Sequence, residues 1–320
     1  MSIKILGTGR AVPNKVVTND DLAKIMDTSD EWIRSRTGIR ERRIAITETS
    51  NSMATEAGKK AIEDAGITPD DLDMIVVATL SPDQMMPVTA CEVQKQLGAN
   101  RAVCFDLNAA CSGFIFGLHT AAAYLGCGFA KHVLVIGVET LSKVVNWNDR
   151  STCVLFGDGA GAAVVTGSSE QSYEAVVGAN GTKGDVLALK DRGNQNPYVK
   201  NEEELFYVTM NGQEVFKFAV SQVPKAIQEV LEKAQVQLDE IDCFILHQAN
   251  ERILQSVAKR LNQPIEKFPM NLDRYGNTSS ASIPLLLDEL NKDGKIKRGD
   301  KIVLSGFGGG LTWGAVYLVW

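Results

Sequence analysis

The sequence predicts an α/β fold built from two similar halves, and three observations carry this reading. Helix-like and strand-like patterns alternate along the chain, and short β-branched runs closing on glycine, such as His132-Val133-Leu134-Val135-Ile136-Gly137, suit strands covered on both faces of a sheet. Residues 62–73 lie over residues 231–242 without a gap, every match at the one offset that carries Ile62 to Leu231. With 320 residues, 44% of them hydrophobic, the chain can bury a large core without staples.

The elements follow in order. In the first half a helix-like pattern runs to Ala65-Gly66, turns at Thr68-Pro69-Asp70-Asp71 and enters the apolar run 74–77. Its counterpart runs to Ala234-Gln235, turns at Leu238-Asp239-Glu240 and enters the apolar run 243–246. Phe105-Asp106-Leu107 and, more faintly, Met270-Asn271-Leu272 each open a segment that passes through small residues into an apolar helix-like run. Both copies close alike, at His132 to Gly137 and at Lys301-Ile302-Val303-Leu304-Ser305-Gly306. The expected halves are residues 1–170 and 171–320, joined near 167–173. The Gly-, Asn- and charge-rich stretch 178–204 is read as a long surface loop or flap.

Composition excludes several classes. A net charge of −6 argues against general nucleic-acid affinity. No segment reaches the roughly 20 apolar residues of a membrane span, and residues 1–15 lack the basic start and cleavage site of an export signal, so a soluble, cytoplasmic protein is expected. The six cysteines form no CxxC pair and share no spacing with the three histidines, so neither zinc nor a disulfide framework is expected. Most of them read as small core residues.

Cys111 differs. In Ala109-Ala110-Cys111-Ser112-Gly113-Phe114 it follows an apolar strand and opens an apolar helix, whose unpaired N–H groups and dipole favour a thiolate; cysteines so placed fall from about 8.5 to roughly 3.5–7.5. A nucleophile is therefore expected. His247 ends the second-copy strand in Leu246-His247-Gln248-Ala249-Asn250, where sites form in such sheets, although a structural histidine fits the same place. Asn277, in Tyr275-Gly276-Asn277-Thr278-Ser279-Ser280, lies in the segment answering to that of Cys111, and a helix cap is its plainer role. Gly306-Phe307-Gly308-Gly309-Gly310 lets a backbone approach a bound group closely. Gly7-Thr8-Gly9 and Gly157-Asp158-Gly159-Ala160-Gly161 open no helix, so they lack the context of a dinucleotide fingerprint.

Together with Thr28-Ser29-Asp30-Glu31-Trp32-Ile33, Arg36-Thr37-Gly38-Ile39, Phe156-Gly157-Asp158-Gly159-Ala160-Gly161 and Phe307-Gly308-Gly309-Gly310-Leu311-Thr312-Trp313-Gly314, these segments closely resemble the β-ketoacyl-acyl carrier protein synthase III family, the initiating condensing enzymes of type II fatty-acid synthesis. The likeness spans almost the whole chain. It implies a thiolase-like fold layered αβαβα, a homodimer, acyl-coenzyme A and malonyl-acyl carrier protein as substrates, and no cofactor. By the same resemblance Cys111, His247 and Asn277 form a triad, the N–H groups of Cys111 and Gly309 an oxyanion hole, and Phe307 a wall beside them. Thr28, Trp32, Arg36 and Arg150 match coenzyme A contacts, with adenine held between Trp32 and Arg150. Met86, where many relatives carry Phe, belongs to the acyl pocket and dimer contact, which leaves acetyl and short branched primers both open.

Arg252, Lys259 and Arg260 share one side of a helix and are read as a dock for the acidic carrier, against the plainer reading of a solvated face. A thiolase or hydroxymethylglutaryl-type synthase, a papain-like hydrolase with the same residue order, and a non-catalytic acyl-binding protein are the rival readings. A second active-site cysteine would favour the first of these, and thioester hydrolysis without condensation the second.

Overall fold

The computed structural model describes residues 2–169, 173–191, 194, 196–199 and 206–320. In the first half the strands are β1 (Ile3–Ala11), β2 (Lys15–Thr18), β3 (Glu41–Ile44), β4 (Met74–Ala78), β5 (Val103–Leu107), β6 (His132–Glu139) and β7 (Gly159–Gly167). The helices among them are α1 (Asn19–Ala23), α2 (Asp30–Thr37), α3 (Ser50–Ala65), α4 (Thr89–Leu97) and α5 (Gly113–Gly126). Then come β8 (Tyr173–Ala179), β9 (Leu187–Ala188), β10 (Thr209–Met210), α6 (Gly212–Ala234), β11 (Cys243–Leu246), α7 (Glu251–Arg260), α8 (Leu272–Tyr275), α9 (Ser282–Lys292), β12 (Lys301–Gly308) and β13 (Thr312–Val319).

Local chemistry sets the boundaries. Thr49 and Ser52 cap α3 reciprocally, and Gly66, at φ +66°, ends it in the left-handed conformation. Asn211 caps α6, and Gln235 takes the same left-handed role at φ +56°. These ends are related by the offset of the sequence repeat, and so are the starts of β4 and β11, of β6 and β12, and of α5 and α9.

One sheet has the order β1-β7-β6-β4-β5, with β4 parallel to β5 and β6; the other has the order β11-β12-β13-β8, with β11 parallel to β12. Between them lie α5 and α9. Phe114, Leu118, Ile283 and Leu287 from these helices share one apolar core with Val133 and Val135 of the first sheet and Ile302 and Leu304 of the second. The outer faces carry α3 with α4 on one side and α6 with α7 on the other. The result is the five-layered αβαβα arrangement.

One expectation needs correction, and one is refined. Phe105-Asp106-Leu107 forms edge strand β5, while Met270-Asn271-Leu272 opens its segment by leading into the single turn of α8 before the apolar helix α9. Asn271 N donates to Gln248 Oε1 at 3.1 Å and its Nδ2 to Glu289 Oε2 at 2.8 Å, bonds that bind it to side chains rather than to a strand. The stretch 178–204, read as a surface loop, contains the end of β8, a 3-10 turn over Gly181–Val186 and strand β9, which pairs with β10. Its apolar residues Leu187 and Leu189 point inward, and residues 192–193, 195 and 200–204 of that stretch lie outside the described residues.

Glycine sets how near the central helices come. A Cβ on Gly137 would run into the carbonyl oxygen of Ser280 at the head of α9, and Gly306, its counterpart in the repeat, faces the carbonyl of Cys111 at the head of α5. Backbone cannot yield as a side chain tip can. Gly137→Ala is therefore expected to destabilise the protein by at least about 1–3 kcal/mol, the usual cost of overpacking. Denaturant unfolding of the variant against the parent measures it, and a midpoint unchanged within error would refute the close-approach argument.

Candidate active site

A cavity of about 460 Å³, mostly apolar, opens where the two halves meet. Cys111, His247, Asn277, Phe307 and Gly309 all line it. Each is delivered by a strand end or the turn after it: Cys111 from the turn between β5 and α5, His247 directly after β11, Asn277 between α8 and α9, and Phe307 and Gly309 at the end of β12. Crevices at the carboxyl ends of parallel strands are where open α/β sheets place ligands.

Cys111 sits in a single 3-10 turn, Ala110–Ser112, before α5, and is buried. Gly308 passes so close that a Cβ there would lie 2.7 Å from Cys111 N. Thr312 Oγ1 lies 3.0 Å from both the Ala109 and the Gly309 carbonyl oxygens, tying the glycine run to the cysteine turn. The thiolate expected from the helix end is not the resting state. Burial pushes the thiol up to about 12, the Ser279 hydroxyl acts against this, and the Glu139 carboxyl adds to it. Desolvation outweighs the helix end because the sulfur has no water to solvate its charge.

His247 is fully enclosed, its N–H bonded to Ser305 O at 2.9 Å and its ring edge-on to Phe307, 5.2 Å between centroids. Burial lowers its pKa to about 3, so the ring is neutral. Nδ1 lies 2.7 Å from Ser282 Oγ, which also accepts from Gln248 N at 3.3 Å. With Ser282 Oγ assigned as the donor to Nδ1, the ring N–H is left on Nε2. Asn277 Oδ1 accepts from Ser279 N at 2.8 Å, an Asx turn rather than a helix cap, since Thr278 and Ala281 hold the cap positions, and this leaves the Nδ2 amino group as the free end. The site thus offers one sulfur and two neutral donors.

The remaining candidates lie around this centre. Asn250, in the cavity wall, donates to Arg36 O at 3.0 Å and so sets the end of α2 at the rim. Two guanidinium groups lie over the Trp32 ring, Arg36 at 4.6 Å and Arg150 at 5.3 Å, and Arg150 also pairs with Asp27 at 3.0 Å. Arg150 is thus closed down on the indole, without space for a base between them. Thr28 Oγ1 is buried and unpartnered beside them in the chain. Arg252, Lys259 and Arg260 are exposed on α7, with Arg252 bonded to Ser35 O at 2.6 Å. Met86 is not brought into the cavity of its own chain. It is 86% exposed. Pro87 and the loop before α4 carry it outward, near the edge strand β5.

Sequence reasoning passed over Asn108, Ser279, Ser282, Glu139 and the apolar wall of Leu187, Leu189 and Met210. The signal for the first two was the repeat itself: Asn108 and Ala110 are the repeat counterparts of Asn277 and Ser279 and make the same turn, Ala110 N bonding Asn108 Oδ1 at 3.1 Å. Of the six cysteines only Cys111 lines the cavity, which removes the observation that would have favoured a thiolase. Among the described residues no cluster of three or more His, Cys, Asp or Glu is placed to hold a metal, and no helix is long and apolar enough to cross a membrane.

Comparison with known proteins gives concordant results. The family models described as 3-oxoacyl-[acyl-carrier-protein (ACP)] synthase III and its C-terminal part match residues 105–183 and 231–320. A β-ketoacyl-[acyl-carrier-protein] synthase III of Clostridium botulinum is 52% identical over 100% of this chain and 99% of its own. The crystal structure of the 3-oxoacyl-[acyl-carrier-protein] synthase III of Aquifex aeolicus superposes with a TM-score of 0.93 at 50% identity, covering 100% of both chains. That of Thermus thermophilus gives 0.92 at 43%, covering 99% and 98%. This thiolase-like fold excludes the papain-like reading.

The enclosed imidazole makes a direct prediction. The ring nitrogen shifts of His247 should stay those of a neutral imidazole from pH 8 down to about 5, because its folded pKa lies well below the ordinary 6.5. A nitrogen-15 NMR titration that found a midpoint near 6.5 would contradict the burial argument.

Proposed function

The chain belongs to the 3-oxoacyl-[acyl-carrier-protein] synthase III family, and from that premise we propose that it joins an acyl group held on Cys111 to the malonyl unit of malonyl-acyl carrier protein, with loss of carbon dioxide. It is an acyltransferase, a condensing enzyme of fatty-acid biosynthesis. The observation that carries the mechanism is one apolar cavity lined by a thiol, a neutral imidazole and a side-chain amide.

In the first step Cys111 sulfur attacks the thioester carbonyl of an acyl-coenzyme A. The new C–S bond forms as the old one breaks, and the proton lost from Cys111 ends on the departing coenzyme A sulfur. Negative charge on the carbonyl oxygen is met by the N–H groups of Cys111 and Gly309; one such donor is worth roughly 2.7–4 kcal/mol in other enzymes. In the second step the malonyl carboxylate leaves as carbon dioxide, its electron pair forms the carbon–carbon bond to the acyl carbonyl, and Cys111 departs as a thiolate that takes a proton from water. No strong base is needed. The developing charge sits on the malonyl thioester oxygen, and His247 Nε2–H and Asn277 Nδ2–H are suited to receive it because both are neutral donors that need not give up a proton.

The wider assignments follow the same reading. Coenzyme A docks at Thr28, Trp32, Arg36 and Arg150, with Arg150 swinging off the indole to admit the adenine. The reaction needs no cofactor and runs in the cytoplasm. Residues 1–170 and 171–320 act as the two halves, one giving the nucleophile and the other the donors. A homodimer forms along β5, an unpaired sheet edge where Val103 is 61% exposed and Phe105, Tyr124 and Phe129 form a chain of ring contacts at 6.3 and 6.5 Å. Such pairing gives Met86 a partner-facing place and lets it border the acyl pocket from the second copy. The primer is acetyl- or a short branched acyl-coenzyme A.

Two expected outcomes test this. Cys111→Ala should abolish acyl transfer yet leave malonyl decarboxylation measurable, whereas His247→Ala should suppress decarboxylation; equal loss of both partial reactions in both variants would refute the division of labour. Reversing Arg252 and Lys259 to Glu should raise the KM for malonyl-acyl carrier protein about tenfold or more while leaving that for acyl-coenzyme A within about twofold, since each charge reversal disfavours an acidic partner. Equal shifts for both substrates would mean that α7 is not the dock.

A further inference from the structure

Ser279 is 1% exposed, lines the cavity, and carries an Oγ that has no hydrogen-bond partner. A buried hydroxyl without a partner costs free energy, so its presence calls for a partner in another state of the site. Two groups lie beside it. Its hydroxyl works against the effect of burial on the Cys111 thiol and on the Glu139 carboxyl, although it meets neither in hydrogen-bond geometry in this state.

The turn itself does not require this hydroxyl. Ser279 has a left-handed backbone at φ +48°, and its counterpart in the first half, Ala110, has φ +46°. Each N–H bonds the asparagine two residues before it, and each opens the 3-10 turn that leads into a central helix. Alanine thus makes the same turn within the same molecule. What the second copy adds is a hydroxyl, and the fold places it in the wall of the cavity that Cys111 also lines.

We propose that Ser279 is a further catalytic residue, whose hydroxyl donates a hydrogen bond to the Cys111 sulfur whenever that sulfur carries negative charge. Such charge arises twice in the reaction proposed above, on which this inference rests: as the thiol attacks the acyl donor, and as the thiolate is expelled by the new carbon–carbon bond. The hydroxyl keeps its own proton throughout. Among titratable groups, Glu139 faces the same turn from β6, held by Leu80 N at 3.1 Å, Ser81 Oγ at 2.6 Å and Ser280 Oγ at 2.9 Å, and His247 faces the cavity as a neutral ring. Glu139 disfavours the thiolate, and the proposed reaction engages His247 and Asn277 with the malonyl thioester oxygen, which leaves Ser279 as a side-chain donor for the sulfur.

The experiment compares Ser279→Ala, Ser279→Gly and Ser279→Thr with the parent, reading the single-turnover acylation of Cys111 by acetyl-coenzyme A and the pH dependence of its alkylation by iodoacetamide. Loss of a hydrogen bond to a charged group slows acylation about ten- to a hundredfold and moves the alkylation profile about one pH unit higher. Threonine, which keeps a hydroxyl, restores part of both. Glycine suits the left-handed backbone and relieves the turn, so the same losses in that variant place the effect in the hydroxyl rather than in the fold. Parental acylation and an unshifted profile in both the alanine and glycine variants would overturn the proposal. A parent protein that never acylates Cys111 would overturn the condensation reading instead, and the alkylation profiles, which need no acyl donor, would still decide the role of Ser279.

Discussion

The site depends on how closely two buried helices approach the sheets that enclose them. Helices α5 and α9 fill the space between the sheets, and the turns at their heads press against glycines: that of α9 against Gly137, that of α5 against Gly306 and Gly308. A side chain at these glycines would push the turns outward. Because it cannot be there, Cys111 arrives at the ends of β11 and β12, beside groups that come from the other half of the chain. Cys111 is thus carried by one half and surrounded by the other, and close packing, with hydrogen bonds such as that of Thr312 Oγ1 to Ala109 O, holds them in register.

Burial that secures this geometry also sets its electrostatics. The cavity raises the thiol to about 12 and lowers the imidazole to about 3, so the resting pair is neutral. A thiolate–imidazolium pair would be the expected state of a wet, hydrolytic site, and here the desolvation cost of two buried charges prevents it. Neutral donors are what decarboxylation calls for, since charge appears on a thioester oxygen only in passing. Charge on the sulfur must likewise be transient, stabilised by donors already in place rather than by a permanent counter-ion.

Much of this was legible in the sequence, and the reasons are physical. The duplication showed because helix ends, turns and buried runs impose residue types at fixed spacing, so Ala65 and Ala234, or Asp73 and Asp242, recur in step. Cys111, His247 and Asn277 could be singled out because each lies at the end of an apolar strand or at the head of an apolar helix, and the structure brings all three to one cavity. Depth was not legible. The helix-end argument for Cys111 was sound in kind, but a sequence does not tell how far a sulfur lies from water, and that distance reversed the sign of the shift. Nor could it show that Leu187 and Leu189, in a stretch rich in Gly, Asn and charge, fold back over the cavity, because two apolar residues make no periodic pattern. Met86 illustrates a third limit: its place in the sequence says nothing of exposure, and the structure leaves it 86% exposed, outside the cavity of its own chain.

The repeat also explains why a molecule with two matching halves sets a thiol and an imidazole together at one of its two helix heads and not at the other. At three of four corresponding positions the halves have diverged. The counterpart of Cys111 is Ser280, that of His247 is Ala78 and that of Gly308 is Glu139, while Asn277 retains its counterpart in Asn108. Where Gly308 opens space beside the sulfur, Glu139 fills the equivalent space and takes hydrogen bonds from Ser280 and the 79–81 loop. The second elbow has thereby become a fully bonded polar plug. Its ties reach the turn that holds Asn277, so the inactive copy serves as the mount for the active one. An unfilled twin cavity would have cost packing and stability, and a second open thiol site would have had no histidine to complete it.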